Sequence, residues 1–468
     1  MINTIVDAKK FDDKPASSSL HQMPTMDYTN KTRDELIAIC RELGVKGYSG
    51  KKKSELLEII EGRQHPARKE GSPLSGLTFI DLFCGIGGFH SALTQLGATC
   101  VLACDIDPKC REVYQRNWGV EPHTDIKELK TGDIPDFDIL CGGFPCQAFS
   151  HAGKQNGLED TRGTLFREIA RILKDKQPKY YLLENVKNLK GHDGGNTIKV
   201  IYSALKEVGY TVYPEPIILS PHHIGVPQHR ERLFLLGVRN DLAVNRTIAT
   251  FPSIRKQRTD ISSILEPESI HYPELELSVE TVELLQHWEA FIQHFKQQRV
   301  KLPSFPIWTE FWTTDAVQQQ EIESMPGWKK TIIQKNQTFY NEHIAFLQDW
   351  LSTARTCPAF SGSKTKLEWQ CGEFKDADSL WSLLFTFRPS GVRVKRSDYS
   401  PALVAMAQIV IIGARRRKLS PREVARLQSF PDTFQLPANN VAYKQFGNSV
   451  NVNVIKRMAQ FLMVEMLT

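Results

Sequence analysis

The fold is decided by Phe79-Ile80-Asp81-Leu82-Phe83-Cys84-Gly85-Ile86-Gly87-Gly88-Phe89, where an apolar strand pattern runs into a glycine-rich turn. A helical pattern opens directly after it, at His90-Ser91-Ala92-Leu93. Glycines at such a turn allow a ligand to approach the main chain closely, as nucleotide-type cofactors do at the first turn of a doubly wound sheet. The spacing differs from the GxGxxG of dinucleotide-binding folds, which disfavours hydride chemistry. Taken alone, the glycine turn could also have only a structural role in the packing of the fold.

A second apolar strand, Val101-Leu102-Ala103-Cys104, is followed by Asp105-Ile106-Asp107. A carboxylate about twenty residues after the glycine turn can accept hydrogen bonds from ribose hydroxyls. Together the turn and the acid predict a cofactor that contains a nucleoside. From about residue 77 to residue 245 apolar strands alternate with helical patterns, which predicts an α/β domain with a doubly wound, mostly parallel sheet.

Cys146 lies in Cys141-Gly142-Gly143-Phe144-Pro145-Cys146-Gln147-Ala148-Phe149-Ser150, directly after the apolar run that ends at Leu140. A cysteine where a strand meets a loop, next to a rigid proline, is well placed for nucleophilic catalysis. A lone cysteine is more often a buried structural thiol. The other motifs of the chain decide between these two interpretations.

Those motifs occur in a fixed order along the chain. They are Glu159-Asp160-Thr161-Arg162-Gly163-Thr164-Leu165-Phe166, Glu184-Asn185-Val186-Lys187-Asn188, Gln228-His229-Arg230-Glu231-Arg232, Arg417-Lys418-Leu419-Ser420-Pro421-Arg422-Glu423 and Gln445-Phe446-Gly447-Asn448-Ser449-Val450. With these residues the chain resembles the DNA (cytosine-5)-methyltransferases from about Leu77 to Val454, and in particular the bacterial restriction-modification type. The resemblance implies the S-adenosylmethionine-dependent methyltransferase fold.

The resemblance implies catalysis by four residues, namely Cys146, Glu184, Arg230 and Arg232. The Cys146 thiolate adds to C6 of a flipped-out cytosine, which makes C5 a nucleophile. Glu184 protonates or hydrogen-bonds N3, and burial is expected to raise its pKa toward the range of a useful acid. Arg232 contacts the pyrimidine O2, and strand alternation places Arg230 on the same face. A surface ion pair is the alternative for either arginine taken alone.

S-adenosylmethionine is the implied cofactor. Its pocket is expected to contain Phe83, Gly85, Gly87, Asp105, Ile106, Asp125, Ile126, Leu165, Asn448 and Ser449. Among these, Asp105 is expected to bind the ribose hydroxyls and Asp125 the adenine amino group. Ile106 departs from the pattern, because many relatives carry an aromatic residue there.

Basic residues concentrate toward the C-terminus. The segment from Arg388 to Arg426 contains ten Lys or Arg and two acids, whereas the whole chain carries a net charge of +6. Such a segment predicts a surface that faces a polyanion. We expect contacts to double-stranded DNA from Arg388, Arg393, Gln147, Ser150, Lys51, Lys52 and Lys53. Residues 246–439 occupy the position of a target-recognition domain, and most of their tryptophans are expected to pack in a core rather than touch bases.

The N-terminal region contains a second pattern. Residues 1–27 are polar and are expected to be disordered. Residues 28–62 predict a capped helix from Thr32, a basic turn and a second helix, a layout that is similar to the DNA-binding SAP module. A helical hairpin that packs on the body is the alternative. Residues 63–76 are expected to be a linker, and residues 440–468 a segment that rejoins the catalytic domain.

Composition agrees with a soluble intracellular enzyme. The nine cysteines include no CxxC pair, which predicts reduced thiols and neither a disulfide framework nor a metal site. No apolar run approaches the roughly 20 residues of a membrane span. We therefore expect a cytoplasmic, nucleoid-associated monomer that works beside a restriction endonuclease.

Two other functions are alternatives for this sequence. A tRNA cytosine methyltransferase shares the thiolate chemistry, but the long recognition region and the N-terminal helices favour duplex DNA. A non-enzymatic DNA-binding regulator is disfavoured, because Cys146, Glu184, Arg230, Arg232 and Asn448 occur together.

Overall fold

The computed structural model describes residues 32–42, 52, 53, 56, 71–145, 165–254, 257–313, 316–373, 379–403 and 408–467. Contacts divide the chain into two compact units, residues 1–67 and residues 68–468. The disordered leader expected at residues 1–27 lies outside the described residues. No helix in the described ranges is long and apolar enough to span a bilayer.

In the first unit, helix α1 spans Arg33–Glu42. It begins with a capping box, in which the Glu35 N–H donates to Thr32 Oγ1 at 3.3 Å and the Thr32 N–H donates to the Glu35 carboxylate at 2.7 Å. The pairing satisfies two main-chain donors that the first turn would otherwise leave free, and it explains why the helix starts here.

The second unit contains a seven-stranded sheet with the strand order β2-β1-β3-β4-β7-β5, and β6 also pairs with β7. Its strands are β1 (Thr78–Leu82), β2 (Thr99–Cys104), β3 (Ile139–Gly143), β4 (Tyr180–Val186), β5 (Tyr210–Val212), β6 (Ile217–Leu219) and β7 (Arg232–Arg239). The pairs β1–β2, β1–β3 and β3–β4 are parallel. Strand β7 runs antiparallel to β4, β5 and β6. The predicted α/β class with a mostly parallel sheet is confirmed.

Helices cover both faces of this sheet because its strands are apolar on both sides. Phe79 and Ile139 belong to one hydrophobic cluster, while their neighbours Ile80 and Leu140 belong to another. This alternation follows from the two-residue period of a strand. The helices of this part are α2 (Gly88–Gln95), α3 (Pro108–Trp118), α4 (Leu165–Lys176) and α5 (Asn196–Glu207).

The chain returns to the first sheet near its end, through α10 (Pro421–Leu427), α11 (Asn439–Asn448) and α12 (Val452–Gln460). Ile455 and Met458 of α12 are fully buried in the cluster that also contains Ala92 and Leu93 of α2. The last described segment therefore packs on the helix that follows the glycine turn.

A second, six-stranded sheet has the order β13-β12-β10-β11-β9-β8. Its strands are β8 (Ile307–Trp308), β9 (Lys366–Trp369), β10 (Leu384–Arg388), β11 (Gly391–Lys395), β12 (Ile411–Ile412) and β13 (Arg417–Lys418). The accompanying helices are α6 (Val279–Gln297), α7 (Ala316–Ser324), α8 (Gly327–Glu342) and α9 (Ile344–Ala354). Trp288, Phe291 and Trp350 from these helices share a core with Phe385 of β10. Trp328 is an exception among the tryptophans, since it is 64% exposed.

Candidate active site

The glycine turn between β1 and α2 has the backbone geometry that brings a ligand close to the main chain. Gly85 and Gly87 have φ values of 53° and 88°, in the left-handed region that glycine enters at little cost. A Cβ on Gly87 would lie 2.0 Å from Nε1 of Trp118, whereas a Cβ on Gly85 would meet no atom within 4 Å. Gly87 is thus required by packing, and the space beside Gly85 is open.

Asp105, the first residue after β2, connects the ends of two parallel strands. Its carboxylate accepts the Gly85 N–H at 2.7 Å and the Asp107 N–H at 2.8 Å. Burial raises the pKa of Asp105, and these two N–H donors oppose that rise. A carboxylate oxygen has more than one lone pair, so both oxygens can still accept from ribose hydroxyls. The neighbouring Ile106 side chain is 74% exposed, as expected for a group that a ligand ring would cover.

The rest of the expected pocket comes from three other parts of the chain. The Asp105 N–H donates to the His123 carbonyl at 3.0 Å, which brings the segment with half-buried Asp125 and buried Ile126 beside the end of β2. Half-buried Leu165 begins α4 and packs against the core on one face of the first sheet.

A Cβ on Gly88 would lie 3.0 Å from Ser449 Oγ, so the segment after α11 reaches the glycine turn. Asn448, at the end of that helix, is exposed. The open space at Gly85, the exposed apolar Ile106 and the Asp105 carboxylate fit a nucleoside-containing cofactor such as S-adenosylmethionine.

Glu184 lies near the carboxyl end of β4 and is paired with a cation. Its Oε1 is 3.0 Å from Arg232 Nε on the adjacent strand β7. Burial raises the pKa of Glu184, while the guanidinium groups of Arg232 and Arg230 oppose that rise. Burial is the larger of these effects, so the Glu184 carboxyl holds a proton more readily than an exposed one would.

The segment that leads to Cys146 passes next to Glu184. A Cβ on Gly143, the last residue of β3, would lie 3.2 Å from Glu184 Oε2. Asn185 Nδ2 donates to the Phe144 carbonyl at 2.9 Å and so ties the end of β4 to this segment. Asn185 was not among the predicted site residues, although its place directly after Glu184 was a signal for it. Cys146, Gln147 and Ser150 lie outside the described residues.

Arg230 has a different environment from the one that strand alternation suggested. Its guanidinium is buried and donates to the carbonyl oxygens of Leu403 at 3.0 Å, Gly447 at 2.7 Å and Ser449 at 2.9 Å. Burial lowers the pKa of Arg230, with Arg232 acting in the same direction and Glu184 opposing it. The hydrogen bonds of Arg230 hold the main-chain segments at Leu403 and at Gly447–Ser449, whereas Arg232 pairs directly with Glu184.

The residues expected to contact DNA fall into two groups. Arg388 and Arg393 lie on β10 and β11 of the second sheet, where Arg393 Nε pairs with Glu368 at 2.6 Å. Lys52 and Lys53 are exposed residues of the first unit, and Lys51 lies outside the described residues.

Comparison with known proteins gives two family matches. Residues 77–463 match the C-5 cytosine-specific DNA methylases, which covers most of the chain. Residues 27–65 match the N-terminal domain of the Rho termination factor. The expected SAP module is therefore not supported for this segment.

Individual relatives are similar over nearly their whole length. The Type II methyltransferase M.AluI of Cellulosimicrobium cellulans is 34% identical, over 81% of this chain and 91% of that protein. The Type II methyltransferase M.HhaI of Haemophilus parahaemolyticus is 33% identical, over 82% of this chain and 94% of that protein. The Type II methyltransferase M.HpaII of Haemophilus parainfluenzae is 33% identical, over 81% of this chain and 87% of that protein.

Proposed function

The chain belongs to the C-5 cytosine-specific DNA methylase family and is a DNA (cytosine-5)-methyltransferase, and from this premise we propose the course of its reaction. A methyl group passes from S-adenosylmethionine to C5 of a cytosine that is flipped out of a specific short duplex sequence. The observation that carries the proposal is the Glu184–Arg232 pair, which lies beside the strand that leads to Cys146.

The first step joins Cys146 to the base. The thiolate sulfur forms a bond to C6, and the electrons of the C5–C6 double bond move toward N3. Glu184 supplies a proton or a hydrogen bond at N3, for which its buried position and raised pKa are suited. C5 then takes the methyl group, and a water molecule accepts the C5 proton as the sulfur–C6 bond breaks. N3 returns its proton to the Glu184 carboxylate, which restores the aromatic ring and the free thiolate.

Arg232 orients the Glu184 carboxyl through their contact at 3.0 Å and is expected to contact the pyrimidine O2. The Arg232 guanidinium opposes the rise that burial causes in the pKa of Glu184, so the contact tunes how readily the carboxyl holds its proton. When a base enters, O2 and N3 lie side by side on one ring edge, so each partner gains a new hydrogen-bond partner on the same ring. Arg230 acts through the main chain, because it fixes the carbonyls of Gly447 and Ser449.

S-adenosylmethionine supplies an electrophilic methyl group when it is bound. Asp105 would hold the ribose hydroxyls and Asp125 the adenine amino group. Ile106 and Phe83 would pack on the adenine ring, and Gly85 and Gly87 would line the methionine end. These roles are supported by the open space at Gly85 and by the exposure of Ile106.

The biological setting follows from the relatives, which are Type II methyltransferases. We propose that methylation by this chain protects a host sequence from a partner restriction endonuclease.

A trapping experiment tests the reaction. Duplex DNA in which 5-fluorocytosine replaces cytosine is incubated with the protein and S-adenosylmethionine. Because fluorine cannot leave as a proton does, the wild type should form a stable covalent adduct, visible as a shifted band. The Cys146→Ser variant should bind DNA and form none, and an equal adduct yield from both proteins would contradict the mechanism.

A further inference from the structure

Three side chains of the kinds that bind transition metals meet on the helices that accompany the second sheet. They are Glu283 and His287 of α6 and Cys357, which follows α9. One carboxylate oxygen, one ring nitrogen and the Cys357 sulfur all lie within 4.8 Å of one another. None of the three residues belongs to the active site or to the expected cofactor pocket, so the reaction gives no reason for their meeting.

The two ligands on α6 lie on one face of that helix. Glu283 and His287 are four residues apart, so their side chains lie one turn above the other. Glu283 is exposed and His287 is half-buried, while the next residue, Trp288, is fully buried. The pair therefore lies at the edge of the core, where an ion can enter from solvent.

Cys357 is held against this face by the turn that ends α9. Its N–H donates to the Ala354 carbonyl at 3.1 Å, and the residue is 1% exposed. Its thiol donates to the Glu280 carbonyl of α6 at 3.8 Å, which directs the sulfur toward the helix that carries the other two ligands. A thiol is a weak hydrogen-bond donor, so little is lost when the sulfur binds a metal ion instead.

The two helices that bring the ligands together are joined by the core. Trp350 Nε1 of α9 donates to the His287 carbonyl at 2.7 Å. The rings of Trp350 and Trp288 pack together with 4.9 Å between their centroids. Because these contacts already fix the backbone on both sides of the cluster, an ion has to order only side-chain rotamers.

The two polar ligands of α6 are not engaged elsewhere. Within the ranges that the structure describes, neither the Glu283 carboxylate nor the His287 ring makes a hydrogen bond or an ion pair. No competing partner in those ranges has to be displaced when they bind a cation.

The set of donor atoms selects the class of metal. A thiolate, an imidazole and a carboxylate are all ligands of Zn²⁺, whereas Mg²⁺ and Ca²⁺ prefer oxygen ligands. A tetrahedral Zn²⁺ needs its donor atoms roughly 3.3–3.7 Å apart, and a change of rotamer in the exposed Glu283 side chain can close the remaining gap. Three protein ligands leave the fourth position to water.

We propose that Glu283, His287 and Cys357 bind one Zn²⁺ ion, which ties α6 to the segment after α9. When the sulfur–zinc bond forms, the Cys357 thiol releases its proton to solvent, and the imidazole binds in its neutral form. The ion stabilises the helices beside the second sheet and takes no part in methyl transfer. The spacing of the cysteines could not indicate this site, because two of its three ligands are not cysteines.

Cobalt binding tests the proposal. Co²⁺ replaces Zn²⁺ at such sites and, unlike Zn²⁺, absorbs visible light, and a thiolate ligand adds a charge-transfer band in the near ultraviolet. The full-length protein, reduced and freed of metal by a chelator, is titrated with cobalt chloride. The charge-transfer band should saturate at one ion per chain, and added Zn²⁺, which binds such sites more tightly, should remove it.

Five variants show which side chains hold the ion. Cys357→Ser should abolish the charge-transfer band. His287→Gln should weaken Zn²⁺ binding about 100-fold or more, and Glu283→Gln about ten-fold, since even changes behind the ligands cost roughly 10- to 100-fold. Cys146→Ser should keep the band, because the ion is not on the reactive thiol. Glu323→Gln makes the same charge change as Glu283→Gln at an exposed position of α7 and should bind like wild type.

Thermal denaturation supplies a second readout and shows that each variant is folded. Zn²⁺ should raise the Tm of the wild type but not that of His287→Gln, because only a folded chain that binds the ion is stabilised by it. Since Cys357 is buried, Cys357→Ser is the variant most exposed to misfolding, and in that case the half-buried His287 decides the test alone.

Two results would overturn the proposal. One is the absence of a saturable charge-transfer band in the wild type. The other is an unchanged Zn²⁺ affinity in His287→Gln, or an unchanged band in folded Cys357→Ser, since the ion would then be held by other thiols of the chain.

Discussion

Replacement of Asp105 by alanine should weaken the binding of S-adenosylmethionine strongly. The carboxylate is expected to accept hydrogen bonds from the ribose hydroxyls, and the loss of a charge-assisted hydrogen bond costs about 1.5–3 kcal/mol. This corresponds to a dissociation constant that is roughly 10- to 100-fold higher. Isothermal titration calorimetry of the purified variant with S-adenosylmethionine measures it directly.

The same substitution should also destabilise the fold. Asp105→Ala removes the acceptor of the Gly85 and Asp107 N–H groups, which lie 2.7 Å and 2.8 Å from the carboxylate. We expect the free energy of unfolding to fall by about 2 kcal/mol. The loss is not larger because water can replace part of the hydrogen bonding that the two N–H groups lose. Urea denaturation gives this value independently of the cofactor.

Asp107→Ala is the matched control. Its carboxylate accepts the Lys109 N–H at 2.9 Å as the N-cap of α3. Loss of the cap should cost about 1 kcal/mol of stability and leave cofactor affinity unchanged. An unchanged dissociation constant for Asp105→Ala, or an equal loss of affinity in Asp107→Ala, would refute the ribose role of Asp105.

Four further substitutions test other parts of the site. Glu184→Gln should lower kcat by about 100-fold or more without changing cofactor affinity. Rapid-quench kinetics measure this rate, and a rate within threefold of wild type would contradict the acid role. Ile106→Ala should raise the dissociation constant of S-adenosylmethionine roughly five- to twenty-fold without lowering Tm, since the side chain is 74% exposed; unchanged affinity would remove it from the pocket. Gly87→Ala should lower the free energy of unfolding by about 3 kcal/mol, because its Cβ would lie 2.0 Å from Trp118 and its backbone is left-handed. Gly85→Ala should lower it by about 1 kcal/mol, because a Cβ there would meet no atom within 4 Å. Equal losses for the two variants in urea denaturation would contradict the packing argument.

The sheet and the cofactor edge could be predicted because they depend on local pattern. Strand β1, the glycine turn and Asp105 follow one another in sequence, and parallel strands bring their carboxyl ends to one edge. The helix cap at Thr32 and Glu35 is equally local and is present as expected. The family of that N-terminal segment was not predictable in the same way, because a capped helix and a basic turn are shared by different modules.

Arg230 shows what sequence reasoning could not reach. Its place two residues before β7 could be read from the sequence, but its partners Leu403, Gly447 and Ser449 lie 173, 217 and 219 residues away along the chain. Such tertiary arrangements leave no periodic signal in the sequence.

The central claim is methyl transfer to C5 of cytosine at one short DNA sequence. Genomic DNA from cells that express the protein, and from matched cells that express Cys146→Ser, is analysed by bisulfite sequencing, with nucleoside mass spectrometry to identify 5-methylcytosine. We predict that wild-type cells alone contain 5-methylcytosine, always at the same position of one recurring sequence. Complete conversion of cytosine in the wild-type DNA, or the same marks with Cys146→Ser, would contradict the claim.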